Sequence, residues 1–143
     1  MSQREYLNEL LVKTFFEALR NEAKFVITEE YKEITMNDMH VMEHIGIEKG
    51  KPMSILAKEL GITVGSLTIA INGLVKKGYV RRVRSEEDRR VVLVSLTGKG
   101  QGAYYHHQKF HENMLEAIYR ELTTEQIELL IKTLETIQGF MNS

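Results

Sequence analysis

Residues 62–100 read ITVGSLTIAINGLVKKGYVRRVRSEEDRRVVLVSLTGKG, and this stretch decides the fold. Thr63 has the side chain and position of an N-cap, opening a helix that runs to about Lys77, buries Leu67, Ile71 and Leu74, and stops at Gly78. Just upstream, MSILAKEL at 53–60 forms a shorter helix presenting Ile55, Leu56 and Leu60, with Gly61 at its C-terminal end. Two helices joined by so tight a glycine-containing turn make a helix-turn-helix. Downstream, YVRRVR at 79–84 and VVLVSL at 91–96 carry the aromatic and β-branched residues of strands. The polar residues 85–90 between them make a hairpin with a charged, exposed tip.

Charge follows the same pattern. The chain of 143 residues has a net charge of −1, which by itself argues against a nucleic-acid partner. Between Lys76 and Arg90, however, seven cations (Lys76, Lys77, Arg81, Arg82, Arg84, Arg89, Arg90) face three acids, Glu86, Glu87 and Asp88. That local excess of four leaves the remainder at −5, so a polyanion is directed to one surface and discouraged elsewhere.

The flanks read as helices. Leu7, Leu10, Leu11, Phe15, Ala18 and Leu19 recur at helical spacing in a segment from Glu5 to about Glu30. TMND at 35–38 resembles a capping box opening a helix that ends near Gly46, and Gly50-Lys51-Pro52 reads as a turn. After Thr97 a helix runs from about Gly100 to Glu121; TTEQ at 123–126 makes another capping box before Ile127, Leu130, Ile131, Leu134, Ile137 and Met141. The expected fold is mainly α with a small β-hairpin, an α+β class, in one domain of 1–143.

Composition narrows the function class by exclusion. No apolar run reaches the length of a membrane span, and MSQREYLNELL lacks a signal peptide's apolar centre, so a cytoplasmic protein without membrane contact is expected. The absence of cysteine removes disulfides and thiol redox chemistry. No nucleophile elbow, phosphate loop or HExxH is present, which argues against an enzyme, and no cofactor is called for.

From Ser66 to Gly100 the chain resembles the MarR family of winged helix-turn-helix transcriptional regulators. The resemblance is carried by Leu67, Leu74, Val75, Gly78, Tyr79 and Val80, by Asp88-Arg89-Arg90, and by Thr97 and Gly100. It implies a DNA-binding region at about 35–98 and dimerisation helices at about 1–34 and 99–143. It also implies a homodimer whose recognition helices meet successive major grooves of a near-palindromic double-stranded operator. Thr63, Ser66, Thr68 and Asn72 are then the polar residues placed to reach bases or phosphates, and Gly65 admits a close backbone approach. By the same resemblance Arg90 enters the minor groove; Asp88, two residues before it, is placed to orient the guanidinium by a bidentate pair, and Arg89 is expected to contact phosphate. Two positions depart from the family pattern. Ile69 is either a thymine-methyl contact or an inward-packing residue, and Gly73 implies close approach to a neighbour or to DNA.

The segments ITMNDMHVMEHIG and YYHHQKFHENML resemble the FabT-type branch, which controls fatty-acid synthesis with long-chain acyl-acyl carrier protein as corepressor. On that reading Phe15, Phe16, Phe25, Met36, Met39 and Met42 line an apolar acyl tunnel, with His40, His107 and His111 nearby. The alternatives are a regulator released by a small aromatic ligand and a zinc-responsive repressor. For the latter, His107 and His111 sit at i, i+4 and His40 joins them from another helix. Against zinc, Met39 stands where that branch has a carboxylate.

Overall fold

Side chains three residues apart set most of the boundaries. In the computed structural model, which describes residues 1–26, 28 and 30–143 with the side chains of Leu19, Glu22, Ala23, Phe25 and Val26 excepted, nine elements follow one another among the described residues. They are α1 (Gln3–Val26), α2 (Met36–Ile45), β1 (Lys51–Pro52), α3 (Met53–Leu60), α4 (Val64–Lys77), β2 (Val80–Arg84), β3 (Val92–Leu96), α5 (Gly98–Glu121) and α6 (Thr124–Met141). Thr35 and Asp38 form a reciprocal capping box at α2, and Thr123 and Gln126 form one at α6. Thr63 caps α4 by accepting from the Ser66 N–H at 3.0 Å.

Two compact units emerge, Met1–Gln108 and Lys109–Ser143, with α5 running through the boundary. In the first, α4 turns Leu67, Ile71 and Leu74 inward, all with no exposed surface, against Met39, Met42, Leu56, Tyr79 and Val94. Each such side chain stabilises the fold by roughly 1.5–3 kcal/mol. Lys77 Nζ reaches the Asp38 carboxylate at 2.8 Å, tying the end of α4 to the start of α2.

Gly78 ends α4 with φ of 89°, a left-handed geometry that costs other residues, and its turn delivers Tyr79 into the core. The hairpin follows, with Val80 opposite Leu96, Arg82 opposite Val94 and Arg84 opposite Val92. Thr97 locks its base, donating Oγ1–H to the Gly78 carbonyl at 2.6 Å and N–H to the Tyr79 carbonyl at 3.0 Å.

Four local expectations are revised. Lys51 and Pro52, expected in a turn, add a third antiparallel strand, giving the order β1-β3-β2. Proline is tolerated because β1 is an edge strand. Ile55 does not join the core: it is half exposed, while Leu56 and Ala57 on the neighbouring face are buried. The first helix ends at Val26, short of the expected Glu30; Ile27 and Glu29 lie outside the described residues. The fifth begins at Gly98, two residues earlier than expected.

In the second unit α6 buries Ile127 and leaves Leu129, Ile131, Leu134, Phe140 and Met141 exposed. Among the described residues no single helix is long and apolar enough to cross a membrane.

Candidate nucleic-acid interface

The outward face of α4 is fixed by what the inward face buries. With Leu67, Ile71 and Leu74 turned into the core, the 3.6-residue period leaves Gly65, Ser66, Ile69, Asn72 and Lys76 on the opposite side, all exposed. Ile69 is 76% exposed, so the inward-packing alternative is overturned and its methyls face solvent. The hydroxyls are already engaged. Thr63 Oγ1 donates to Ser66 Oγ at 3.0 Å, and Thr68 Oγ1 donates to the Val64 carbonyl at 2.8 Å. Asn72 is held as well, its Oδ1 accepting from Arg82 Nη1 at 2.6 Å. A Cβ added at Gly73 would meet nothing within 4 Å, so no described neighbour within the chain accounts for that glycine.

The wing tip is built on a turn in which Val91 N–H donates to the Asp88 carbonyl and Ser85 N–H to the Val91 carbonyl, both at 2.9 Å. That turn brings Asp88 and Arg90 together. The carboxylate accepts Arg90 Nε–H at 3.0 Å, Nη2–H at 3.1 Å and the Arg90 backbone N–H at 3.1 Å. The Arg90 guanidinium, and after it the Arg90 backbone N–H, hold the Asp88 carboxyl below its ordinary value. An exposed pair of this kind adds little stability. Its effect is geometric, since it fixes the direction of an arginine that is 91% exposed. Arg89 is exposed beside it, its carbonyl accepting from Arg84 Nη1 at 3.3 Å. Between α4 and the wing lies an open groove of about 640 Å³, with Val64 and Thr68 on one wall and Arg82, Arg84 and Arg90 on the other.

The residues assigned to an effector are dispersed. Phe15 and Phe16 are exposed on α1, whereas Met39 and Met42 are fully buried in the core and Met36 packs against it. The Phe25 side chain lies outside the described residues. His40 is exposed and its ring meets His44 edge-on at 5.1 Å, because the two share one face of α2. It is Glu43, also on α2, whose carboxylate pairs with Nδ1 of the buried His107. His111 follows one turn later on α5, in the second unit. Sequence reasoning missed Glu43 and the Asn72–Arg82 contact. Neither leaves a local signal, since Glu43 and His107 lie far apart in the chain and Asn72 and Arg82 meet only because the turn at Gly78 folds β2 back beside α4.

A helix-turn-helix followed by a cationic β-hairpin, with one helix face and the hairpin tip both exposed, defines a winged-helix DNA-binding protein. The chain belongs to the SarA/Rot family of transcriptional regulators, whose profile, described as "Transcriptional regulator SarA/Rot", matches residues 23–106. It is similar to Streptococcus pneumoniae FabT, solved in complex with DNA, at 35% identity and a TM-score of 0.84, with 98% of each chain covered. The HTH-type transcriptional regulator YpoP of Bacillus subtilis is 26% identical over 119 residues, covering 83% of this chain and 80% of YpoP. A point mutant of Staphylococcus aureus MepR, bound to an oligodeoxyribonucleotide, shares the fold at a TM-score of 0.66 and 17% identity, with 99% of each chain covered. The protein is therefore a MarR-like DNA-binding transcriptional regulator and not an enzyme.

Proposed function

We propose that the chain acts as a homodimeric repressor on a near-palindromic operator, with α4 in the major groove and Arg90 in the adjacent minor groove. The observation that carries this reading is the wing tip, where Asp88 holds an almost fully exposed guanidinium outward on the same unit as the exposed face of α4. Arg89 and the N-terminal turn of α4, with Thr63, Gly65 and Ser66, supply phosphate contacts; Thr68, Ile69 and Asn72 face the bases. The homodimer is supported by exposed apolar side chains: Leu7, Leu10, Phe15 and Phe16 on α1, and Leu129, Leu134 and Phe140 on α6.

The resemblance of ITMNDMHVMEHIG and YYHHQKFHENML to the FabT-type branch is what supports target genes in fatty-acid synthesis, and long-chain acyl-acyl carrier protein is then the proposed corepressor that strengthens operator binding. Phe15 and Met36, not closed into the core, are the first contacts for the acyl chain. The test is fluorescence anisotropy on duplexes recovered from genomic DNA by the purified protein, with and without palmitoyl-acyl carrier protein. Arg90→Ala is expected to weaken binding and lower the salt slope by about one. Unchanged affinity and slope refute the minor-groove role; an unchanged affinity on adding the acylated carrier refutes the fatty-acid branch.

The Glu43–His107 pair favours a second reading, a zinc-responsive repressor, because a carboxylate and an imidazole already meet there. Operator affinity unaltered by chelator and by added zinc would exclude it.

A further inference from the structure

Four arginines of the wing have their side chains tied down, and the partners differ in kind. Arg81 Nε donates to Ser95 Oγ at 3.2 Å, Arg84 to a backbone carbonyl and Arg90 to Asp88, all within the wing. Arg82 instead reaches back to α4, where Nη1 donates to Asn72 Oδ1 at 2.6 Å. A guanidinium can only donate hydrogen bonds, so the atom it touches has to be the amide oxygen. The Asn72 Nδ2 group is therefore turned away from Arg82, with its two hydrogens directed elsewhere.

That orientation changes what Asn72 can read. An asparagine with both ends available recognises adenine, accepting from N6 and donating to N7. Here a cation already takes one of the two lone pairs of that oxygen, leaving it a poorer acceptor for adenine N6, and the remaining guanidinium donors lie beside the amide. The pair as a unit is rich in donors. Guanine is the base whose major-groove edge offers two acceptors, N7 and O6. We propose that Arg82 is a specificity-determining positioning residue: it holds the Asn72 amide so that the two side chains present donors, selecting guanine over adenine at one position of each half-site. The inference rests on the reading above that α4 enters the major groove.

Selection from a random duplex library with the wild type, Asn72→Ala, Arg82→Ala and Arg82→Lys tests it, followed by titration of the winning duplex and its single G-to-A changes at two salt concentrations. Both side chains are exposed, so circular dichroism and melting temperature are expected to match the wild type. The wild type should prefer guanine at that position by roughly 5- to 100-fold. Asn72→Ala should lose this preference. Arg82→Ala should lose it too or turn it toward adenine, while Arg82→Lys, which still donates, should retain part of it. An unchanged preference in Arg82→Ala overturns the proposal. So does a uniform weakening at all positions with a shallower salt slope, which marks Arg82 as a phosphate contact. A wild-type protein that enriches no sequence overturns the underlying major-groove reading, and the inference with it.

Discussion

Gly100 is expected to be among the least replaceable residues of the first unit. It lies in the first turn of α5, where the helix passes the start of β2. A Cβ there would fall 2.1 Å from the Tyr79 carbonyl oxygen, 3.1 Å from its carbon and 3.2 Å from Leu96 Cβ. Ordinary contact begins near 3.4 Å, so in Gly100→Ala one backbone must retreat from the other by roughly 1.3 Å. Neither is free to move. The same Tyr79 carbonyl accepts the Thr97 N–H, Thr97 Oγ1 donates to the Gly78 carbonyl, and the Gly100 N–H donates back to Thr97 Oγ1 at 3.2 Å. The Tyr79 ring behind that carbonyl is fully buried.

Overpacking of this kind costs about 1–3 kcal/mol, and each hydrogen bond lost in the retreat costs about 1 kcal/mol more. Alanine's better helix propensity returns about 1 kcal/mol. With two bonds broken and mid-range strain, the net loss is about 3 kcal/mol, or a fall in melting temperature of roughly 10 °C for a chain of this length. Thermal unfolding followed by calorimetry reads it directly. A melting temperature within about 2 °C of the wild type, or above it, refutes the reasoning, because it means that α5 can slide off β2 at no cost.

Gly73→Ala is the matched opposite: with nothing within 4 Å of the added Cβ, the variant should gain about 1 kcal/mol, and a lowered melting temperature would count against it. If the stabilised variant also loses operator affinity, DNA itself takes the space at that position. Tyr79→Phe removes a buried hydroxyl that has no hydrogen-bond partner among the described residues, so stability should hold or rise by up to about 1 kcal/mol; a loss of that size refutes the assignment. Glu59 accepts from Lys51 Nζ at 2.8 Å, and that bond holds its carboxyl below the ordinary 4.5. A depressed folded-state value stabilises above the unfolded one and loses its effect as pH falls through the folded one. Glu59→Gln should therefore melt lower than the wild type at neutral pH, with the gap closing below pH 4.5; a gap independent of pH would contradict this.

What could be read from the sequence was what the chain encodes within one turn. The boxes at Thr35–Asp38 and Thr123–Gln126 and the cap at Thr63 are three-residue signals, and each formed where its residues stand. The buried stripe of Leu67, Ile71 and Leu74 is likewise a matter of period alone. Lys51-Pro52 failed that test because nothing in two residues announces a strand; β1 exists only where Val94 and Leu93 offer it an edge. The site divides along the same line. Asp88 and Arg90, two residues apart, could be paired from spacing, whereas Asn72–Arg82 and Glu43–His107 depend on which strand register and which helix faces meet.

The wing's internal bonds bear on how DNA is bound as well as on where. Ordering a free arginine side chain on binding costs about 1.5–2 kcal/mol of rotamer entropy. Arg81, Arg82, Arg84 and Arg90 are each restrained before any ligand arrives, by Ser95, Asn72, the Arg89 carbonyl and Asp88. Pre-organisation of this kind transfers part of the ordering cost from the binding step to the folding step. It also gives Asp88 a consistent physical account. An acid at the tip of a cationic wing repels phosphate, and the pair it makes is too exposed to stabilise the fold much. Its position is intelligible once the restrained direction of Arg90, rather than the sum of charge on the wing, is what recognition requires.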